Sequence, residues 1–125
     1  AQVPLMDMLR FQKFGMGAQW VHEYGNPEKP DEYAWVRAYS PYHNVQDGTD
    51  YPATLLVTAE GDNRVSTAHA FKMTARLQAA TSGTRPILLR CERKAGHGAG
   101  KPLNMRIENM SEDWAFVIWQ LGMIK

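Results

Sequence analysis

A chain of 125 residues is long enough for one domain with one sizeable core and too short for two. An apolar share of 44% and a charged share of 22% exclude a disordered ground state, and 14 basic against 13 acidic residues leave a net charge of +1. That balance gives no footprint for nucleic acid or an anionic surface, and no apolar stretch nears the roughly 18–20 residues of a bilayer span, so neither partner is expected.

In chain order, residues 3–6 read as a short strand. Residues 11–24, with Gly15, Gly17 and four aromatics, read as irregular with a helical turn or two. Residues 25–31 form a turn-rich loop. Residues 32–39 suit a short helix that ends at Ser40-Pro41, because the residue before proline avoids helical geometry. The run Ala53-Thr54-Leu55-Leu56-Val57-Thr58-Ala59 reads as a strand buried on both faces, and residues 86–91 as a second. Between them Ala70, Met73, Leu77 and Ala80 recur at helical spacing, stopped by Ser82-Gly83. Finally Ile107, Met110, Trp114, Val117 and Leu121 form an apolar stripe expected to be core, with Gly122 as its stop. Strand, helix, strand, helix predicts a βαβα unit on a parallel sheet, an α/β fold.

In such sheets ligands and catalytic groups gather in loops at the carboxyl ends of the strands. Two loops qualify. One holds Gly61-Asp62-Asn63-Arg64-Val65, the other Ala95-Gly96-His97-Gly98-Ala99-Gly100-Lys101. Side by side they would give an aspartate that orients one ring nitrogen of a histidine and frees the other as a general base. The order Asp62 before His97 is that of α/β-hydrolases. From these residues alone, two unrelated turn residues remain an equal reading.

Other chemistries fail on position. The second loop nearly spells a phosphate-binding loop, but Ala95 replaces its first glycine and Pro102 its magnesium-binding serine or threonine. Lys101 stands where a dinucleotide fingerprint needs its third glycine. His22, His43, His69 and His97 lack paired metal-ligand spacing, so no metal and no cofactor is expected. A lone Cys91 in an apolar run reads as a buried thiol. It fits a reducing cytoplasm and is also compatible with the periplasm.

Five runs together resemble the prolyl oligopeptidase (prolyl endopeptidase) family of serine peptidases, in its order and across essentially the whole chain. They are Asp7-Met8-Leu9-Arg10-Phe11, Trp20-Val21-His22-Glu23-Tyr24-Gly25, Tyr39-Ser40-Pro41-Tyr42-His43-Asn44-Val45, Asp62-Asn63-Arg64-Val65, and Ala95 through Pro102. The resemblance implies the C-terminal half of an α/β-hydrolase catalytic domain, three-layered on a mostly parallel sheet, acting on proline-containing short peptides. It makes Asp62 and His97 the second and third triad members, and Arg64 the residue that hydrogen-bonds a substrate carbonyl. It places Trp20 on the substrate proline ring, with Tyr24, Val65 and Leu5 lining that pocket. Trp20 and Tyr24 otherwise read as core aromatics. Asn63 departs from the acidic residue that relatives often carry there.

The larger departure is the nucleophile. Ser40, Ser66, Ser82 and Ser111 are the serines, and none sits in a Gly-x-Ser-x-Gly turn. The chain, which begins at Ala1 as if in mid-strand, is therefore expected to be a fragment without the nucleophile-bearing half and the β-propeller. It would be a truncated gene or read, an engineered half-domain, or a non-catalytic remnant that binds or self-associates. An unpaired edge at residues 3–6 and uncovered Met6, Met8, Phe11 and Phe14 predict a homo-oligomer joined through the N-terminal region.

Overall fold

The computed structural model describes residues 1–93, 95–97 and 101–123. Its first part holds single 3₁₀ turns at Phe11–Lys13 and Gly17–Trp20, then α1 (Val21–Tyr24) and α2 (Pro30–Tyr39). The glycine at 17 is a requirement of this winding, since a Cβ there would lie 1.8 Å from the Phe11 carbonyl oxygen. Helix α2 starts two residues before the expected position because Pro30 is a good first helical residue, followed by Asp31 and Glu32 at the positive end of the helix dipole. It stops at Ser40, extended before Pro41 as expected.

The second part is the βαβα unit: β1 (Thr54–Ala59), α3 (Ala68–Ala80), β2 (Ile87–Glu92) and α4 (Leu103–Gln120). The two strands pair in parallel, from Thr54 opposite Ile87 to Ala59 opposite Glu92. Alternation sends Leu56 and Ile87 to one face, where they pack with Ala70, Met73, Leu77 and Ala80 of α3 and with Val45. On the other face Arg90 reaches α4, meeting Asn109 at 2.7 Å and Asp113 at 3.3 Å. This is a partial α/β fold, with helices on the two faces of a small parallel sheet.

Four expectations need correction. Residues 3–6 are not a strand: pairing stops after a single parallel bridge from Gln2 to Val57, because Val3 turns to φ 41° and Pro4 has no N–H to give. The second strand is not buried on both faces, since Leu88 is 42% and Leu89 36% exposed, whereas no residue of β1 is exposed. The α4 stripe is not core, because Ile107, Met110, Trp114, Val117 and Leu121 are 40% to 69% exposed and the helix buries only Asn109. Periodicity defines an apolar face but not what covers it.

The fourth correction concerns the N-terminal region. Met8 and Phe11 are not uncovered; they are 3% and 0% exposed and form a second core cluster with Val36 of α2. Met6 and Phe14 are partly buried. The strap 5–24 folds back on its own aromatics, so the apolar premise for association through it is gone.

Candidate active site

The acidic loop leaves the carboxyl end of β1, where Asp62 N–H donates to Ala59 O at 3.0 Å and closes a turn. The Asp62 carboxylate then folds over its own loop. Its Oδ1 accepts from the N–H groups of Arg64 and Val65, each at 2.9 Å. The side chain has no exposed surface. Two of its lone pairs are thus committed before any partner arrives, and only Oδ2 is left to point outward.

The histidine loop leaves the adjacent strand end and meets the acidic loop backbone to backbone. Gly61 N–H donates to Ala95 O at 3.2 Å, and a Cβ at Gly61 would sit only 3.0 Å from that oxygen. Glycine at 61 lets the loops touch. Across this seam His97 Nδ1 donates to Asp62 Oδ2 at 2.8 Å. The ring is about one-third exposed, and Nε2 has no partner among the described residues. A buried carboxylate that holds one nitrogen of a partly exposed imidazole is an arrangement that can support acid–base chemistry at the other nitrogen. Of the glycine-rich turn, Lys94 and Gly98 to Gly100 lie outside the described residues.

Beside His97 opens a cleft, and Leu5, Trp20, Tyr24, Arg64 and Val65 all line it with the imidazole. The sequence-predicted site residues therefore converge on one place. Trp20 and Tyr24 also satisfy the competing reading: they pack against Met8, Phe11 and Val36 while presenting surface to the cleft, and Tyr24 meets the Phe11 ring edge-on at 5.8 Å. Val3 and Glu23 line the same cleft and were not anticipated. Glu23 was legible as a neighbour of Tyr24, whereas Val3 depends on a backbone turn that no residue pattern announces.

A polar cluster joins Asp7, Arg10 and His43, which stood in the quoted runs without a role, to His69 and Lys72 of α3, which stood in none of them. Asp7 is 1% exposed and is ion-paired to Lys72, with Arg10 Nη1 at 3.3 Å. Burial would raise its carboxyl, but Lys72, assisted by His43 and Arg10, outweighs burial and holds it below the usual carboxylate range. Burial pushes the imidazoles of His43 and His69 down; Asp7 opposes this and Lys72 adds to it, while Arg37 and Arg10 also lower His43. Among the described residues no three of His, Cys, Asp and Glu are arranged to hold a metal ion, and no helix is long and apolar enough to cross a membrane.

The sequence pattern described as "Prolyl oligopeptidase family" matches residues 1–123. The prolyl endopeptidase of Elizabethkingia meningoseptica is 41% identical over 121 residues, 96% of this chain and 17% of the relative. Prolyl oligopeptidase A of Amanita bisporigera is 39% identical over 124 residues, covering 98% and 16%. Among solved structures, one from a study of two prolyl endopeptidases superposes with a TM-score of 0.94 at 39% identity, covering 98% of this chain and 18% of its own. Prolyl oligopeptidase B of Galerina marginata, bound to a 35mer hydrolysis and macrocyclization substrate, gives 0.91 at 36% identity, covering 97% and 17%. The chain thus spans about one-sixth of the length of the curated relatives it matches.

Proposed function

The chain belongs to the prolyl oligopeptidase family, and from that premise we propose that it is the part of a serine peptidase that carries the triad's aspartate and histidine together with the pocket for a substrate proline. The observation that carries this reading is the 2.8 Å contact between Asp62 Oδ2 and His97 Nδ1, opening onto a cleft walled by Trp20. In the proposed reaction His97 Nε2 takes the proton of a serine hydroxyl as its oxygen attacks the proline carbonyl and gives it to the amine that leaves as the peptide C–N bond breaks, after which water releases the acyl group by the same route. Asp62 keeps Nδ1 protonated and stabilises the imidazolium. The Trp20 indole supplies a flat apolar face for the rigid pyrrolidine, Tyr24, Val65 and Leu5 close around it, and Arg64 at the rim donates to a substrate carbonyl.

The serine comes from outside this chain. Ser40 is fully buried, Ser82 Oγ donates to Gly48 O at 2.8 Å, Ser111 Oγ donates to Ile107 O at 2.9 Å, and Ser66 Oγ accepts from Ala68 N–H at 3.3 Å. We therefore expect the isolated chain to be inactive. The rest of the hydrolase domain would also cover Leu88, Leu89 and the α4 stripe. The half-buried lone thiol Cys91 suits the cytoplasm as its compartment. A second reading, a non-catalytic module that self-associates, is favoured by one observation: the stripe on α4 is an apolar face with no cover among the described residues.

A chimaera decides between them. This chain replaces the corresponding segment of the Elizabethkingia meningoseptica prolyl endopeptidase, and release from a chromogenic Gly-Pro substrate is measured. The peptidase reading expects turnover that falls by about 10⁴-fold for Asp62→Asn and by a comparable factor for His97→Ala. A folded chimaera without activity, or one that keeps activity without His97, sinks it.

A further inference from the structure

Three consecutive backbone N–H groups in the strap, at Met6, Asp7 and Met8, end on side chains and not on backbone carbonyls. His69 Nδ1 accepts from Met6 at 3.4 Å and from Asp7 at 3.1 Å, and Ser40 Oγ accepts from Met8 at 3.0 Å. His69 is 2% exposed, so water cannot replace it as acceptor. It stands in the first turn of α3, whose preceding loop supplies Asp62, Arg64 and Val65. The Phe14 ring meets the His69 ring edge-on at 5.8 Å, and Met16 N–H donates to Arg64 O at 3.2 Å. One imidazole therefore joins the strap to the base of the catalytic loop.

We propose that His69 is a positioning residue: its unprotonated Nδ1 fixes the backbone at Met6 and Asp7 and so holds Leu5 and the strap as the wall of the cleft beside His97. The part of this that concerns substrate rests on the reading of that cleft as the proline pocket. An Nδ1 that receives two N–H groups has no room for a proton of its own, since a third donor would face two donors. The charged groups that act on it are Asp7 from the strap and Lys72 from α3, while Arg10 from the strap and His43 from the turn after α2 approach Asp7. Asp7 and Lys72 pair with each other, so Asp7 is not free to welcome an imidazolium. Burial holds the ring below its usual range, in keeping with this geometry. The wall stays in place at neutral pH and loosens when acid protonates His69.

The test is amide hydrogen exchange by NMR on the chain itself, at about pH 7.5 and about pH 5, after correction for the intrinsic pH dependence of exchange. Protection of Met6 and Asp7 is expected to fall by about tenfold or more in acid. In His69→Asn the amide oxygen takes the place of Nδ1 and cannot titrate, so protection is expected to stay level between the two conditions. In His69→Leu it is expected to be lost at both, with the His97 Nδ1 proton still bonded to Asp62. Level protection in the unaltered chain, or a His69→Asn variant that loses protection like it, overturns the proposal. Should either variant fail to fold, the profile of the unaltered chain still decides. A parallel titration with N-acetyl-Gly-Pro-amide separates the two claims. Perturbation of Leu5, Trp20 and Val65 that weakens in acid, except in His69→Asn, supports both. No perturbation under any condition overturns the pocket reading alone, and the exchange result still decides the clamp.

Discussion

The strap of residues 5–24 and helix α4 are both rich in apolar side chains and treat them in opposite ways. The strap has no regular element longer than four residues, yet it buries Met8 and Phe11 against Val36 and secures its backbone with the side chains of His69 and Ser40. Helix α4 runs for 18 residues with a clean stripe, yet it meets the rest of the chain through polar contacts: Arg90 to Asn109, Asp113 and Glu112, and Gln2 to Asp113. Regularity of an element and its share in the core are separate properties. Burial follows from how many neighbours surround a segment, and the strap is wrapped by α2, the turn after it and the start of α3.

The comparison breaks most visibly in stability. Phe11→Ala is expected to cost about 3–5 kcal/mol in urea denaturation, because it empties a site with no exposed surface. Trp114→Ala, a larger deletion on paper, is expected to stay within about 0.5 kcal/mol because that ring is already in water. Equal losses at the two positions would mean that α4 is packed and the contrast is false.

Acid should sharpen the contrast. His43 and His69 have folded-state pKa values below the ordinary imidazole value, so the unfolded chain takes up protons first as pH falls. Their contribution is complete above about pH 6.5 and is lost as pH drops from there towards the lower folded-state values. Asp7, lowered by Lys72 against its burial, keeps its contribution above the usual aspartate range and loses it only in stronger acid. A melting temperature that declines in two stages is expected, with strap amides losing protection before those of α4. Uniform loss across both regions would remove the distinction. The smallest effect is expected on α4 itself. Ile107→Gln with Met110→Gln should change stability by no more than about 0.5 kcal/mol while raising solubility, as measured by urea denaturation and light scattering.

Much of the βαβα unit could be read from the residues. The run from Ala53 to Ala59, the spacing of Ala70, Met73, Leu77 and Ala80, and the stop at Gly122 are local signals, and local signals set the elements. The meeting of Asp62 and His97 was also legible, because parallel strands place successive loops at one edge. What escaped was anything decided by surroundings. The α4 stripe shows a face without showing its cover. The strand expected at residues 3–6 fails through the turn at Val3 and the missing donor of Pro4. The cluster of Asp7, Ser40, His43 and His69 joins positions more than 60 residues apart at its longest reach, and nothing in local pattern links them.

The account turns on one pair: the buried Asp62 carboxylate and the His97 ring nitrogen 2.8 Å from it, proposed to preset the tautomer of that ring. Nitrogen-15 NMR of the His97 ring in the isolated chain tests it directly. The predicted ring carries a proton on Nδ1 that Asp62 shifts far downfield, and Asp62→Asn abolishes that downfield signal. A ring that carries its proton on Nε2, or an Nδ1 signal unchanged in Asp62→Asn, would contradict it.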